Sequence, residues 1–490
     1  MALSDDHRPV DGARPVGGAT SVDGATPAGL PPDARRSSDN RSSDNRSSGS
    51  REPVDLVVTA ATVLTVDDVD TVLDDAAVAV RDGVITHVGQ RSQVLAEVDA
   101  AERVDLPGHL LMPGLVNAHT HMAMTMFRGF TDDLDLHAFL GRIVPAEAAM
   151  LDASTVDIGT RAAAIESLCG GVTTALDMYF FPDAALAAAH AAGLRLLTGP
   201  VMTDDPGIRA LGPDALVDDP DRWLAAHPRR AGWRPVIGPH AIYTVGRDGL
   251  AHAGELRATH DAVLHTHAAE TVAEVQGSHD AHGMGPVEWL DHLGLLTPAT
   301  VLAHGVHLTD HEIELLSDTG SSVAHCPASN LKLGCGVARV PDLLAAGVNV
   351  AIGTDGAATS NDLDMFMAIR LTALLHKGIG GDPTVVPAHR VLRMATIDGA
   401  RAVGMADQLG SLEVGKAADV VAIDLDRPHL QPVFDPMATV VYSAGRGDVT
   451  DVWVGGQRVV RDRQPTRLDA HAVTAALAAL EPRVSGTLDH

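Results

Sequence analysis

Apolar positions along this chain come in two textures. From about residue 109 to residue 356, short strand-like apolar runs recur: HLLMPGLVNAHTH, GVTTALDM, LRLLTGP, RPVIGPH, AVLHTHAAE, TVLAHGV, SSVAHCP and VNVAIGTDG. Between them lie Ala/Leu-rich stretches with helical patterning, such as STVDIGTRAAAIESLCGG and FPDAALAAAHAAG. The second of these ends at Gly193, a residue suited to a helix C-cap. Eight strand–helix units in roughly 300 residues predict an α/β fold, a (β/α)8 barrel over 113–409. A doubly wound sheet is the alternative. Polar residues crowd the C-terminal ends of most runs, and barrel active sites are built at that rim, which favours the barrel.

The flanks read differently. VDLVVTAATVLTV and AAVAVRDGVITHVG, within 53–112, look like short strands with Asp-Gly at a hairpin turn. Similar material returns within 410–465, in KAADVVAIDL and DVWVGGQRVVRD, with Gly455-Gly456 as another turn. The economical arrangement is one small β-sandwich-like domain made from both ends. Residues 466–490 are expected to form a C-terminal helix and tail. Residues 1–52 are rich in Ser, Asp, Gly, Pro and Arg and carry the local repeat RSSDNRSSDNRSS. They lack the apolar surface to offset ordering entropy and are expected to be a disordered tail.

Composition then narrows the class. Of 490 residues 45% are hydrophobic but only 3% aromatic, so the core must be built from Ala, Val, Leu and Ile. The net charge of −28 argues against a nucleic-acid partner, which needs a basic patch. The only lysines are Lys332, Lys377 and Lys416. Cys169, Cys326 and Cys335 show no CxxC spacing, which gives no disulfide framework and fits a reducing cytoplasm. No apolar run reaches membrane-spanning length, and MALSDDHRPVDG has neither the basic nor the apolar region of a signal peptide. The expectation is a cytoplasmic protein that meets a small molecule, with no nucleic acid and no membrane; a homo-oligomer stays open.

The chemistry sits at the run ends. His119 and His121 close the first run, His240 the fourth, His267 the fifth with Glu270 three residues on, His304 the sixth, His325 the seventh and Asp355 the eighth. Imidazoles and a carboxylate gathered at one barrel mouth need a common explanation, and a divalent metal supplies it. These donors suit zinc, iron, nickel or manganese, with no thiolate needed.

The motifs PGLVNAHTH, HTHAAET, LAHGVHLTD, HCPASNLKLG and IGTDGAATSNDLDM follow one another from residue 113 to 365, and GSLEVGKAADVVAIDL lies in the flank. With them the chain resembles the amidohydrolase superfamily, in its cytosine-deaminase-like and triazine-hydrolase-like branch, over nearly all of 53–463. NAHTHMAMTMFRG and LDMYF resemble deaminases of methylthioadenosine and S-adenosylhomocysteine. The resemblance implies one metal, most simply Zn2+, with Fe2+, Ni2+ and Mn2+ as alternatives, held by His119, His121, His267 and Asp355. It implies Glu270 as proton shuttle, with Asp355 able to share the first transfer, and His304 bound to the substrate or the developing tetrahedral centre. The family pattern HxxE selects His267 over its neighbour His265, leaving His265 and His325 as supporting or packing residues. Binuclear relatives bridge their metals with a lysine or glutamate on the fourth strand; RPVIGPHAIY has neither, which fits a mononuclear site and deamination.

The same resemblance places Glu147 where nucleoside-deaminating relatives have a glutamate for the ribose hydroxyls, since a carboxylate can accept two hydroxyl donors. Phe139 stands in the place of a tryptophan beside the substrate, His240 matches a histidine near the base or ribose, and Thr359 replaces a serine. Gly199 lies near where homocysteine-binding relatives have an arginine, with Arg209 in the following loop as a substitute. Loss of that cation points to a neutral nucleoside: methylthioadenosine, 5′-deoxyadenosine or adenosine before S-adenosylhomocysteine. Two alternatives stand beside this reading. One is another ring aminohydrolase, acting on guanine, 8-oxoguanine, cytosine or an s-triazine. The other is a metal-free binding or assembly module.

Overall fold

A computed structural model describes residues 51–487 of the protein. The expected tail at 1–52 falls outside the described residues, except that Glu52 already opens a strand.

Each of the eight apolar runs supplies one barrel strand: β1 (Leu115–Thr120), β2 (Val172–Asp177), β3 (Arg195–Leu197, resuming as Val201–Met202), β4 (Val236–Pro239), β5 (Val263–Ala268), β6 (Thr300–His304), β7 (Ser322–His325) and β8 (Asn349–Ile352). Positions of β1, β2, β5 and β6 are buried without alternation, because helices cover the outside and side chains fill the inside. All neighbouring pairs within the barrel are parallel. The barrel closes from β8 to β1 at the rim: the Asp355 N–H donates to His119 O at 3.0 Å, and Thr354 N–H donates to Asn117 Oδ1 at 3.1 Å. Glycine is required at 353, where a Cβ would lie 2.9 Å from His119 O.

Both chain ends share one eight-stranded sheet. Its strand order is Gln464–Pro465, Gln457–Arg461, Val449–Val454, Val420–Asp424, Val98–Pro113, Glu52–Leu64, Val72–Arg81 and Val84–Gln90. Only the pair Glu52–Leu64 with Val98–Pro113 is parallel. Asp82-Gly83 and Gly455-Gly456 take the positive φ pairs (52° and 77°, 53° and 73°) that suit two-residue hairpins. Apolar clusters around Val58, Val78 and Trp453 and around Val57, Ala77 and Val94 cover this sheet. Past the last strand come two helices, Ala470–Ala478 and Glu481–Gly486. Among the described residues, no helix is long and apolar enough to cross a membrane.

Candidate active site

The C-terminal rim of the barrel carries the titratable residues named above. Three of the residues that form it have left-handed backbone: Ala269 (φ 54°), His304 (φ 75°) and Asp355 (φ 64°). Non-glycine residues are held in this region only where surrounding structure enforces it, and such strain gathers at functional sites.

His119, His121, His267 and Asp355 converge. The Nδ1 of His121 meets the carbonyl oxygen of Met178, and that of His267 meets the carbonyl oxygen of His240 at 2.7 Å. A carbonyl only accepts, so each Nδ1 carries the hydrogen and each Nε2 is left as a bare lone pair. Yet the two Nε2 atoms lie 3.3 Å apart. Asp355 Oδ1 is 3.3 Å from His121 Nε2 and 3.5 Å from His119 Nε2, and the latter atom is buried with no hydrogen-bond partner. Lone pairs aimed at one another in a buried site repel unless a cation lies between them. This donor set fits a divalent metal, with imidazoles oriented from behind as metal-bound imidazoles usually are. His304 also has a ligand atom within 4.8 Å of those of His119 and Asp355.

The supporting residues are now placed. His265 does face inward like His267, but one layer deeper: it is fully buried, and its Nε2 lies 2.9 Å from His119 Nδ1. Ser329 donates to Asp355 Oδ2 at 2.6 Å. His325 stays out of the site; it packs beside His376 with ring centroids 5.4 Å apart, and both of its nitrogens lack partners. Burial pushes His119 down to about 3 and His240 to about 4, keeping both rings neutral.

Next to the donor set lies a cavity of about 380 Å3, and Glu270, His304, Glu147, Phe139, His240 and Thr359 all line it. Burial raises the Glu270 carboxyl to about 7, against the pull of His304, whose Nδ1 is 3.7 Å from Glu270 Oε1. His304 itself is raised: burial disfavours its charged form, but Glu270 and Asp355 outweigh it. Asn330 Oδ1 sits 2.8 Å from His304 Nδ1 and fixes the ring. Glu147 is buried, takes a hydrogen bond of 2.6 Å from Tyr179, and is raised to about 7, first by burial. Thr359 donates its hydroxyl to Gly356 O at 2.9 Å, which leaves its oxygen as an acceptor.

Among the lining residues not picked out from the sequence are Tyr179, Asp205 and Tyr243. Tyr179 follows β2 by two residues and could have been found by the same strand-end rule that found the histidines; the other two sit on loops with no local signal. Arg209 does not line the cavity; it is exposed and pairs with Asp204 at 3.0 Å. At Gly199 no side chain fits, since a Cβ would meet Val236 O at 1.9 Å.

A (β/α)8 barrel that turns three imidazoles and a carboxylate onto one point beside a protonatable glutamate defines a metal-dependent hydrolase. The chain belongs to the amidohydrolase family, whose model matches residues 110–459. It is 42% identical over 422 residues to a 5-methylthioadenosine/S-adenosylhomocysteine deaminase of Nitratidesulfovibrio vulgaris, covering 85% of this chain and 94% of that one. The protein of the same name from Moorella thermoacetica is 41% identical, with 82% and 94% covered. Among solved structures, an adenosine deaminase from Xanthomonas campestris with bound zinc superposes with a TM-score of 0.86 at 39% identity, covering 89% of this chain and 100% of that one. The zinc-bound atrazine chlorohydrolase of Arthrobacter aurescens gives 0.78 at 27% identity, with 87% and 100% covered.

Proposed function

We propose that this protein is a zinc-dependent aminohydrolase that converts an adenine nucleoside and water to the inosine form and ammonia. The observation that carries the reading is the convergence of His119, His121, His267 and Asp355 beside Glu270, in a cavity whose wall holds Glu147. His119, His121, His267 and Asp355 would hold a divalent ion, which would supply a water with its pKa lowered from 15.7 to about 7. Glu270, held beside the donor set with a carboxyl that burial raises, accepts the proton of the attacking water and passes it to the ring nitrogen beside the amino-bearing carbon. The same carboxyl then carries the remaining hydroxyl proton to the amine, and ammonia leaves as the C–N bond breaks and the carbonyl forms. Asp355 is less suited to hold that proton, since Ser329 and the Gly356 N–H already donate to its oxygens. His304, fixed by Asn330, offers its other nitrogen to the tetrahedral carbon's oxygen. Glu147 and His240 orient the ribose and base, and Phe139 supplies an apolar wall.

The cavity also favours one end of the substrate range. Its lining includes the carboxylates of Glu147, Asp205, Glu270 and Asp355 and no Lys or Arg among the described residues. A nucleoside with a neutral 5′ group enters without an uncompensated charge, whereas in the zwitterionic tail of S-adenosylhomocysteine the ammonium finds carboxylates in the lining but the carboxylate finds no Lys or Arg there.

The test is an ammonia-release screen over nucleosides, free bases and triazines, with elemental analysis of protein purified without added metal. The expected result is about one zinc per chain, with kcat/KM for methylthioadenosine at least about tenfold above that for S-adenosylhomocysteine, a difference of about 1.4 kcal/mol. Turnover confined to free bases or triazines overturns the nucleoside reading, and equal kcat/KM for the two nucleosides overturns the neutral-group preference.

A further inference from the structure

Glu270 is followed by a helix, α1 (Val272–His282), whose first turn is capped in an unusual way. Thr271 is the N-cap and accepts from the Glu274 N–H at 3.1 Å. In an ordinary capping box the glutamate three residues on returns the bond to the N-cap's own N–H. The helix α2 (Asp310–Thr319) shows that pattern in this protein: Glu312 Oε2 accepts from the Thr309 N–H at 2.9 Å. Glu274 reaches further back. Its Oε1 accepts from the Ala269 N–H at 3.0 Å and its Oε2 from the N–H of Glu270 itself at 2.8 Å.

Those two amides point the same way because Ala269 has left-handed backbone, φ 54°. Successive N–H groups so arranged form a concave anion site, and here the anion is the Glu274 carboxylate. Ala269 and Glu270 are both buried, so without Glu274 the two N–H groups would have no acceptor and the strained turn no compensation. The other side of the turn is already tied down: Ala269 O accepts from the N–H of Val306 and of His307, each at 2.9 Å. The direction of the Glu270 side chain is thus set by its backbone, and its far end meets only the Cys335 thiol at 3.6 Å and His304 at 3.7 Å.

The geometry points to Glu274 as a positioning residue that holds the backbone of Glu270 for proton transfer, rather than as a helix cap alone. This rests on the assignment of Glu270 as the proton shuttle, so Glu270→Gln is measured first and is expected to abolish ammonia release while zinc content stays at the wild-type level.

Glu274→Ala and Glu274→Gln are then compared with Glu312→Gln, which makes the same change in the ordinary capping box. A misplacement of about 1 Å at a reacting group costs on the order of 100-fold, so Glu274→Ala should lower kcat by about that factor. Glu274→Gln keeps one acceptor and opposes the second N–H, and should fall between Ala and wild type. In both, KM should stay within about twofold and zinc content unchanged, because neither the ribose contacts nor the donor set is touched. Glu312→Gln should lower Tm and leave kcat within about twofold. If Glu274→Gln, the milder change, keeps wild-type kcat, or if kcat falls no further than in Glu312→Gln, the positioning role is wrong while the Glu270 assignment stands. An active Glu270→Gln instead removes the assignment itself.

Discussion

In the proposed ribose-binding role Glu147 accepts two hydroxyls best when ionised, and it sits where ionisation is costly. Burial is the largest influence on it, Asp205 adds to the upward shift, and the Tyr179 hydroxyl opposes both; the result is a value of about 7 against an ordinary 4.5. A raised folded-state value has a definite sign. The contribution to stability is present in full below 4.5 and is lost as pH rises through about 7, where the folded protein must carry a buried charge. Glu147→Gln removes that dependence and should be more stable than wild type at pH 8 by up to about 2–3 kcal/mol, a difference absent at pH 4.5. Binding has the opposite slope. The KM of the wild-type protein for a nucleoside should rise as pH falls below about 7, while the Gln variant should show a higher and flatter KM. Denaturant titrations and Michaelis plots at pH 5, 7 and 8 check both. A KM that ignores pH in the wild type would remove Glu147 from the ribose site. The candidate metal donors could be singled out because HxH closes the first run and the family pattern HxxE marks His267 at the end of the fifth. The roles of Tyr179, Asp205 and Glu274 were not legible, since each depends on a partner that only folding brings near or on a backbone angle the sequence does not display.

At the scale of elements, the eight apolar runs correspond to the eight strands because a parallel barrel buries both strand faces and so writes itself as dense apolar stretches. One strand departs from that simplicity. LRLLTGP reads as one run but β3 is interrupted at Thr198–Pro200, and Gly199 sits so close to β4 that a Cβ would lie 1.9 Å from Val236 O and 2.9 Å from its carbonyl carbon. Glycine is needed there for approach and not for a left-handed φ. The same contact bears on specificity, because it closes the route by which a cation at this position could serve the carboxylate of a zwitterionic substrate tail. Gly199→Ala should push β3 from β4 and cost more than about 3 kcal/mol, the size associated with core overpacking against backbone. Gly199→Arg should be worse still and should confer no turnover of S-adenosylhomocysteine. Thermal unfolding and soluble yield read the first; a well-folded Gly199→Arg protein would show that β3 has room to move.

At the scale of the whole molecule, the question is what fastens the terminal sheet to the barrel. Strand-rich texture at both ends pointed to one shared domain, but the pairing of Val98–Pro113 with Val420–Asp424 that joins them rests on contacts no local pattern records. Arg195 and Asp419 supply one. Arg195 opens β3 and is mostly buried; its guanidinium grips both Asp419 oxygens and also donates to Thr174 Oγ1 of β2 at 2.9 Å. Asp419 lies just before the sheet strand Val420–Asp424, takes the Gly455 N–H at 2.8 Å through its side chain, and takes the Gly114 N–H at 3.0 Å through its carbonyl. Asp419 therefore joins two barrel strands and a hairpin of the sheet through its carboxylate, and the entry to β1 through its backbone carbonyl. Replacing a buried pair by apolar groups can be neutral, but removing one partner strands the other charge, at about 3–5 kcal/mol. Arg195→Met should accordingly lower Tm by several degrees, and Arg195→Met with Asp419→Leu should recover part of the loss. Both variants should retain bound metal and wild-type kcat/KM at 25 °C, because the pair lies at the N-terminal end of β3, away from the rim that carries the histidines. Loss of the metal in Arg195→Met at full folding would mean instead that the sheet shapes the metal site, and that the two ends of the chain are part of the catalytic architecture rather than a brace around it.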